Sequence, residues 1–600
     1  MQFEEIKNKV VSAWSHYRVW QLQNINDKRF IYVLSVVIGL ISGLVAVLLK
    51  NTVMLVEYIL TNGIRHVDSY LFFLYPFLGI VFTVLFLVFV VRKTVGHGIP
   101  NTLFAISKGN GNMKFHESWS TVIAAALTVG TGGSAGLESP AVNTSAALSS
   151  NLGRRLKLTR KTKVLFIACA ASGALSGIFN APVAAIVFAL EVIMIDLTAV
   201  SLVPLLLSSV AATLTGRILL GEETLFPYKF IEPFSLSQIG LYIVLGVACG
   251  MMSVYFSKVY FTVGEWISPL KNKVLKALIG GAATGLLIYL FPSLYGEGYL
   301  IINSLIEGAE EVVLSSVTLF HADKNVWLAT GVFLVLLLIK PVATSLTIHS
   351  GGIGGIFAPA LFIGSVLGYV FSKIIQNLGF DTPASGNFTL VAMGGMMAGM
   401  LHAPLTGIFL IAEITGGYEL FIPLMLTTAI TFITVKYATP HSVYNQQLMQ
   451  KGQLVTLHKD QAVLTLMNLN QEIERDFVVV RPYDKLRDLV QAISKSSRNL
   501  FPVNDEQGRF LGVITLNEVR EIMFERDKYE EVNIHELMSS APETVEITNR
   551  MEDVMRKFDD SGAWNLPVLD EEGKYIGFVS KSKLFSGYRE KLREFYDDSH

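Results

Sequence analysis

Gly136-Leu-Glu-Ser-Pro-Ala141 and Gly355-Ile-Phe-Ala-Pro-Ala360 are the two stretches on which the fold turns. Each sets a glycine four positions ahead of a proline at the start of an apolar segment. The two are not the only echo. Ala181-Pro-Val-Ala-Ala-Ile-Val-Phe-Ala-Leu-Glu191-Val returns as Ala403-Pro-Leu-Thr-Gly-Ile-Phe-Leu-Ile-Ala-Glu413-Ile, and Gly96-His-Gly98-Ile pairs with Gly296-Glu-Gly298-Tyr. The offsets are 219, 222 and 200 residues, so two halves keep the same order of elements. Paired halves with broken helices at corresponding positions are a transporter pattern, with the substrate site between the halves.

Composition agrees with a lipid-facing surface. Hydrophobic residues make up 51% and charged residues 16%, against about 25% charged in soluble domains. The shortage of charge runs from Phe30 to about Thr439, and from Lys451 onward charges recur every few residues. Spans of near membrane length are read at Phe30–Leu49, Tyr70–Val91, Leu202–Leu220, Ile239–Phe256, Val274–Phe291 and Leu420–Val435. Between them lie pieces read as too short to cross: Thr121–Val129, Ala141–Leu152, Val164–Gly177, Ala181–Ile195 and Ala358–Phe371. Broken backbone is tolerated at membrane depth only where protein buries it or where it lines a cavity. Basic residues Lys7, Lys9, Arg18, Lys28 and Arg29 precede the first span and place the N-terminus in the cytosol; the charged C-terminal part is expected there too, in a protein of the cell membrane.

These broken starts carry the chemistry. A helix that begins at Gly-x-x-x-Pro or Gly-x-Gly leaves N–H groups free at its positive end. Several such ends meeting in a membrane hold an anion without a full positive charge. Glu138 sits directly at one of these starts, where its carboxylate can occupy the place an anion would take. An ionisable side chain inside a membrane is a functional hypothesis by default. A cation path needs several carboxylates or carbonyls, and the membrane part is poor in acids. No nucleophile, metal-ligand cluster or phosphate loop points to an enzyme, and a net charge of −1 without a basic stripe argues against nucleic acid. Cys169 and Cys249 fall in apolar helical sequence and read as buried thiols.

With these motifs in hand, residues 30–450 resemble the CLC family of chloride channels and chloride/proton antiporters. Gly96-His-Gly-Ile-Pro100 looks like the family's first anion-binding motif, Gly136-Leu-Glu-Ser-Pro140 like its gating-glutamate motif, and Gly355-Ile-Phe-Ala-Pro359 like its third. The resemblance implies an α-helical polytopic membrane fold of two inverted repeats with broken helices, assembled as a homodimer in lipid. It implies that chloride is held by His97, Gly98 and Ile99, by the amides around Ile356, Phe357 and Ala358, and by the Tyr444 hydroxyl. Glu138 is then the gate and proton acceptor.

Three departures from the family pattern bear on mechanism. His97 stands for the usual Ser, so anion preference is open and pH enters through an imidazole. Leu137 and Ser139 flank Glu138 in place of a base and Gly. Val192 occupies the place of the inner proton-relay glutamate, which favours a channel over an antiporter. Exchange with protons relayed by water stays as the alternative, and fluoride selectivity or regulated cation transport are the lesser ones. Glu191 beside it has a twin in Glu413, which points to a shared structural role.

The C-terminal part repeats in a different way. Leu500-Phe-Pro-Val-Asn-Asp505 to Thr515 is matched by Asn565-Leu-Pro-Val-Leu-Asp570 to Ser580, each a strand, an Asp/Gly turn and a strand ahead of a charged helix. The two look like CBS motifs, the first with its linker in residues 451–527 and the second in 528–590, between a cytosolic segment at 1–29 and a tail at 591–600. Such α/β pairs often bind adenine nucleotides. Thr515, Glu518 and Ser580 are the candidate contacts here, with Lys583 where the second copy would carry its ribose-binding acid. No other cofactor is implied.

Overall fold

The computed structural model describes residues 27–62, 73–93, 95–96, 98–107, 109–193, 199–221, 225–226, 234–315, 326–380, 384–450 and 467–597. His97, the leading residues Lys7, Lys9 and Arg18, and most of the linker after Gln450 lie outside them. The chain separates into two units, residues 1–455 and 456–600.

The first unit is helical. Among the described residues, nine helices are long and apolar enough to cross a membrane. They show large apolar side chains on their outer faces, such as Leu44, Leu48, Val244, Leu286 and Ile433, and an aqueous surface would not keep so much apolar area bare. The interior is closed by small residues. Helix α1 (Asp27–Asn62) passes α6 (Arg160–Phe179) and α8 (Ala199–Leu220) so closely that a Cβ on Gly39 would stand 2.3 Å from the Ser208 carbonyl oxygen. A Cβ on Gly177 would likewise meet Ala46 Cβ at 2.9 Å. Helices approach this closely in lipid because dispersion and carbonyl contacts replace the missing hydrophobic drive.

Three spans differ from the reading of the sequence. Val164–Gly177 and Ala358–Phe371, expected to be fragments, belong to the 20-residue α6 and to the 21-residue helix Phe357–Asn377. The helix Val326–His349 was not anticipated, since Lys340, Pro341 and a polar C-terminal end interrupt its apolar run. Much of each helix is buried among others, so positions such as Ala168, Ser172, Ala360 and Lys340 face protein and not lipid. The remaining short pieces are α4 (Glu117–Val129), α5 (Glu138–Arg155) and α7 (Pro182–Glu191), with Pro404–Thr415 as the partner of α7 in the second half.

The two halves are joined by backbone at the centre. Gly136 and Gly355 pair antiparallel, Gly136 N–H donating to the Gly355 carbonyl at 2.9 Å and Gly355 N–H to the Gly136 carbonyl at 2.8 Å. A second link is reciprocal. The Glu413 carboxylate accepts from the Val183 and Ala184 amides at 3.0 and 2.8 Å, and the Glu191 carboxylate accepts from Leu405 and Thr406 at 3.0 and 2.7 Å. Each acid therefore caps the short helix of the other half, satisfying N–H groups that proline-led helix starts leave open. This is the shared structural role that the repeat suggested for Glu191.

The second unit is two small α/β copies. Strands β1 (Leu500–Asn504) and β2 (Phe510–Thr515) form one antiparallel hairpin, and β4 (Asn565–Leu569) and β5 (Tyr575–Ser580) form the other, with β3 (Val545–Glu546) parallel to β4. Each hairpin buries its own apolar cluster, around Phe501, Val503 and Ile514 in the first and Leu566, Val568 and Val579 in the second. The turns match atom for atom. Asp505 Oδ1 accepts from the Gln507 and Arg509 amides, and Asp570 Oδ1 from those of Glu572 and Lys574. Gly508 and Gly573 close the turns at φ of 83° and 78°, which only glycine adopts freely. Phe510 N–H then donates to the Gly573 carbonyl and Tyr575 N–H to that of Gly508, so the turns clasp each other.

Candidate functional site

The Gly136–Gly355 pairing sets the geometry of everything around it, because it brings the start of α5 against the start of Phe357–Asn377. Glu138 is fully buried there. Its Oε1 accepts from the Phe357 amide at 2.8 Å, with the Ala358 amide close by, while Oε2 has no hydrogen-bond partner. Both glycines are needed for this approach: a Cβ on Gly136 would lie 2.2 Å from Oε2, and one on Gly355 would lie 2.4 Å from Oε1. The Phe357 ring is held in turn, stacked on Phe179 at 5.2 Å and edge-on to Phe188 at 6.2 Å.

The first motif arrives from the other side. Helix α3 (Gly98–Ser107) begins with a glycine whose φ of 47° and closeness to Ser139 suit a residue without Cβ. Ser139 Oγ accepts from the Ile99 amide at 3.2 Å. Of the amides expected to face an anion, that of Phe357 is thus held by Glu138 and that of Ile99 by Ser139. Tyr444 is buried beside Ser139, its hydroxyl without a hydrogen bond of ordinary length. Gly98, Ile99, Glu138, Ile356, Phe357, Ala358 and Tyr444 are all buried in this one region. His97 lies outside the described residues.

Two helix starts thus bring oriented amides, a carboxylate oxygen without a partner and a phenol without a partner into one buried region, where the amides carry partial positive charge. That suits a small anion. A family model described as the voltage gated chloride channel matches residues 79–436, and a CBS domain model matches residues 471–525 and 534–590. The chain belongs to the voltage-gated chloride channel family. A ClcB-like chloride channel protein of Ralstonia nicotianae is 29% identical over 357 residues, 58% of this chain and 79% of that one. The H(+)/Cl(-) exchange transporter ClcA of Vibrio cholerae is 27% identical over 435 residues, 69% of this chain and 88% of that one. Among solved structures, a slow cyanobacterial Cl-/H+ antiporter shares the fold with a TM-score of 0.61 at 22% identity, covering 71% of this chain and 99% of its own. As a family member, this is a CLC-type membrane protein with a CBS pair.

Within that family frame, several residues near the site were not singled out from sequence. Glu117 accepts from the Gly96 amide at 3.3 Å and from Asn101 Nδ2 at 3.1 Å, and Asn101 also donates to Asn143 at 2.8 Å. This network fixes the entry into α3. Glu297, in the Gly296-Glu-Gly298 echo of the first motif, accepts from the Leu137 amide at 3.1 Å, one residue before Glu138. Lys340 is fully buried behind it, donating to the Leu294 and Gly296 carbonyls at 3.3 and 3.4 Å over the Phe362 ring. The symmetry of the echo was the available signal for Glu297. Val192, buried at the end of α7, donates its N–H to the Phe188 carbonyl at 2.8 Å and carries no titratable atom.

In the CBS pair the candidate contacts fall into two places. Glu518 accepts from both the amide and the hydroxyl of Thr515, at 2.6 and 3.0 Å, so the two form a helix cap together. Ser580 Oγ donates to Glu474 and accepts from the Lys583 amide. Lys583 itself lines an open cleft with Glu474, Asp476, Arg498 and Ser582. There Arg498 binds Asp476 in a fork at 2.8 to 3.0 Å, pairs with Glu474 at 2.5 Å and lies over the Phe477 ring. The Arg498 guanidinium holds the Asp476 carboxyl below the usual carboxylate range.

Proposed function

We propose that the chain carries chloride across the membrane along a path gated by Glu138. One observation carries this reading: the buried carboxylate takes the Phe357 amide at 2.8 Å and leaves its second oxygen unpartnered. Charged, it competes for the donors an anion needs; protonated or displaced, it frees them. Loose binding by partial charges also lets the anion leave.

The path is channel-like. Val192 has no proton to relay, and the neighbouring Glu191 is engaged with the Leu405 and Thr406 amides. A second reading, chloride/proton exchange with water carrying protons on the inner side, is favoured by the exchange activity named for the Vibrio cholerae relative. The protein works as a homodimer in the cell membrane with both termini in the cytosol, and the CBS cleft, lined by Arg498 and Lys583, takes an adenine nucleotide through its phosphates.

The test is flux in liposomes bearing only a chloride gradient. A channel conducts chloride without moving protons uphill, and an exchanger pumps them. In either case Glu138→Gln keeps chloride flux and loses its dependence on pH. A wild type whose flux ignores pH, matched by the variant, removes Glu138 from the role of gate.

A further inference from the structure

The gate has a neighbour of its own kind. Glu297 Oε1 accepts the Leu137 amide, so the two carboxylates belong to adjacent stretches of one constriction. Its other surroundings are few and specific. Lys50 on α1 and Lys340 on Val326–His349 are the cations within electrostatic reach, Glu138 is the acid, and the Tyr299 hydroxyl lies beside it. From α6 the packing residue is Ile178, which does not titrate. Glu297, Lys50, Leu137 and Tyr299 line a cavity of 20 Å³, above the roughly 15 Å³ that one water needs. The lining includes neither Phe357 nor Ile99, so a water held there meets this carboxylate apart from the amides that face the anion. Lys340 does not neutralise it directly, since its ammonium is spent on the carbonyls of Leu294 and Gly296.

We propose that Glu297 is a second proton-binding site of the gate, which with Glu138 sets the pH at which anions pass. Two carboxylates in one buried region titrate as a pair: charge on one makes the other hold its proton more tightly. While Glu297 is charged, Glu138 keeps its proton and leaves its amides free up to a higher pH than it would alone; a proton on Glu297 removes that support. The motif that holds Glu297 is the repeat partner of the first anion-binding motif, so the second half of the fold contributes an acid where the first half contributes His97.

The inference rests on Glu138 as the gate of a chloride path, and the experiment separates the two. Chloride efflux from liposomes is followed across pH for wild type, Glu297→Gln, Glu297→Asp and Glu138→Gln. Gln keeps an acceptor for the Leu137 amide but cannot ionise. Its activation midpoint is expected to move toward acid by on the order of one pH unit, while Glu297→Asp keeps the wild-type midpoint. A Glu297→Gln midpoint equal to wild type overturns the proposal. So does an equal shift in Gln and Asp, or loss of flux in both, because either result makes the position structural. A wild type without chloride flux, or a Glu138→Gln variant with an unaltered pH response, sinks the gate reading first and this one with it.

Discussion

Gly136→Ala is the sharpest probe of the gate. The three atoms nearest a Cβ at this position are all in the Glu138 carboxyl group, at 2.2, 2.6 and 2.7 Å. The backbone there needs no glycine conformation, so the added methyl first meets the end of a flexible side chain. Moving it breaks the 2.8 Å bond from the Phe357 amide. A hydrogen bond to a charged group contributes about 1.5–3 kcal/mol, which corresponds to roughly a 10- to 150-fold loss of occupancy at 1.4 kcal/mol per decade. At alkaline pH, where the charged carboxylate blocks most, chloride efflux from liposomes should rise toward its acid value. The double variant Gly136→Ala, Glu138→Ala should match Glu138→Ala alone, since the methyl acts only through the carboxylate. A Gly136→Ala protein that folds yet blocks at alkaline pH as wild type does would refute the placement of Glu138 in the anion's seat.

Two further outcomes follow from other parts of the chain. Glu413→Ala strips the acceptor from the Val183 and Ala184 amides and should cost about 1–3 kcal/mol of stability, read as a lower melting temperature in detergent; an unchanged melting temperature contradicts the cap. In the CBS pair, Asp476 has its native pKa depressed by Arg498, so its contribution is present above the unfolded value near about 3.9 and fades as pH falls through the lower native value. Acid unfolding of the C-terminal unit, followed by tryptophan fluorescence from Trp564, should start at the same pH in Asp476→Asn and wild type only if that ion pair contributes nothing.

Much of this was legible in the residues because the repeat exposed it. Three motifs in the same order in both halves located Glu138, the Gly355 start and the twin acids Glu191 and Glu413, since a broken helix needs glycine and proline at set positions. The hairpins of the CBS pair were equally visible in their Asp/Gly turns. Burial was harder to see. The helix Val326–His349 carries Lys340 at its middle, and only the carbonyls of Leu294 and Gly296 across the fold explain why a lysine is acceptable there. Ser139 read as the loss of a glycine, whereas its hydroxyl takes up the Ile99 amide. Glu518 read as a possible ribose contact, and Thr515, three residues away, occupies it. In each case a side chain finds a partner whose distance in sequence, or whose competition with a ligand, periodicity does not report.

The exchanged caps also impose a timetable on synthesis. Val183 and its acceptor Glu413 are 230 residues apart, and at about 5–20 residues per second the ribosome needs roughly 10 to 45 s to bridge that gap. Throughout that interval the amides at the head of Pro182–Glu191 lack the group that will finally satisfy them, in a medium where lipid supplies no substitute. The first half must therefore wait in the shelter of the insertion machinery or of water, and neither half is a finished membrane domain until the other has been made.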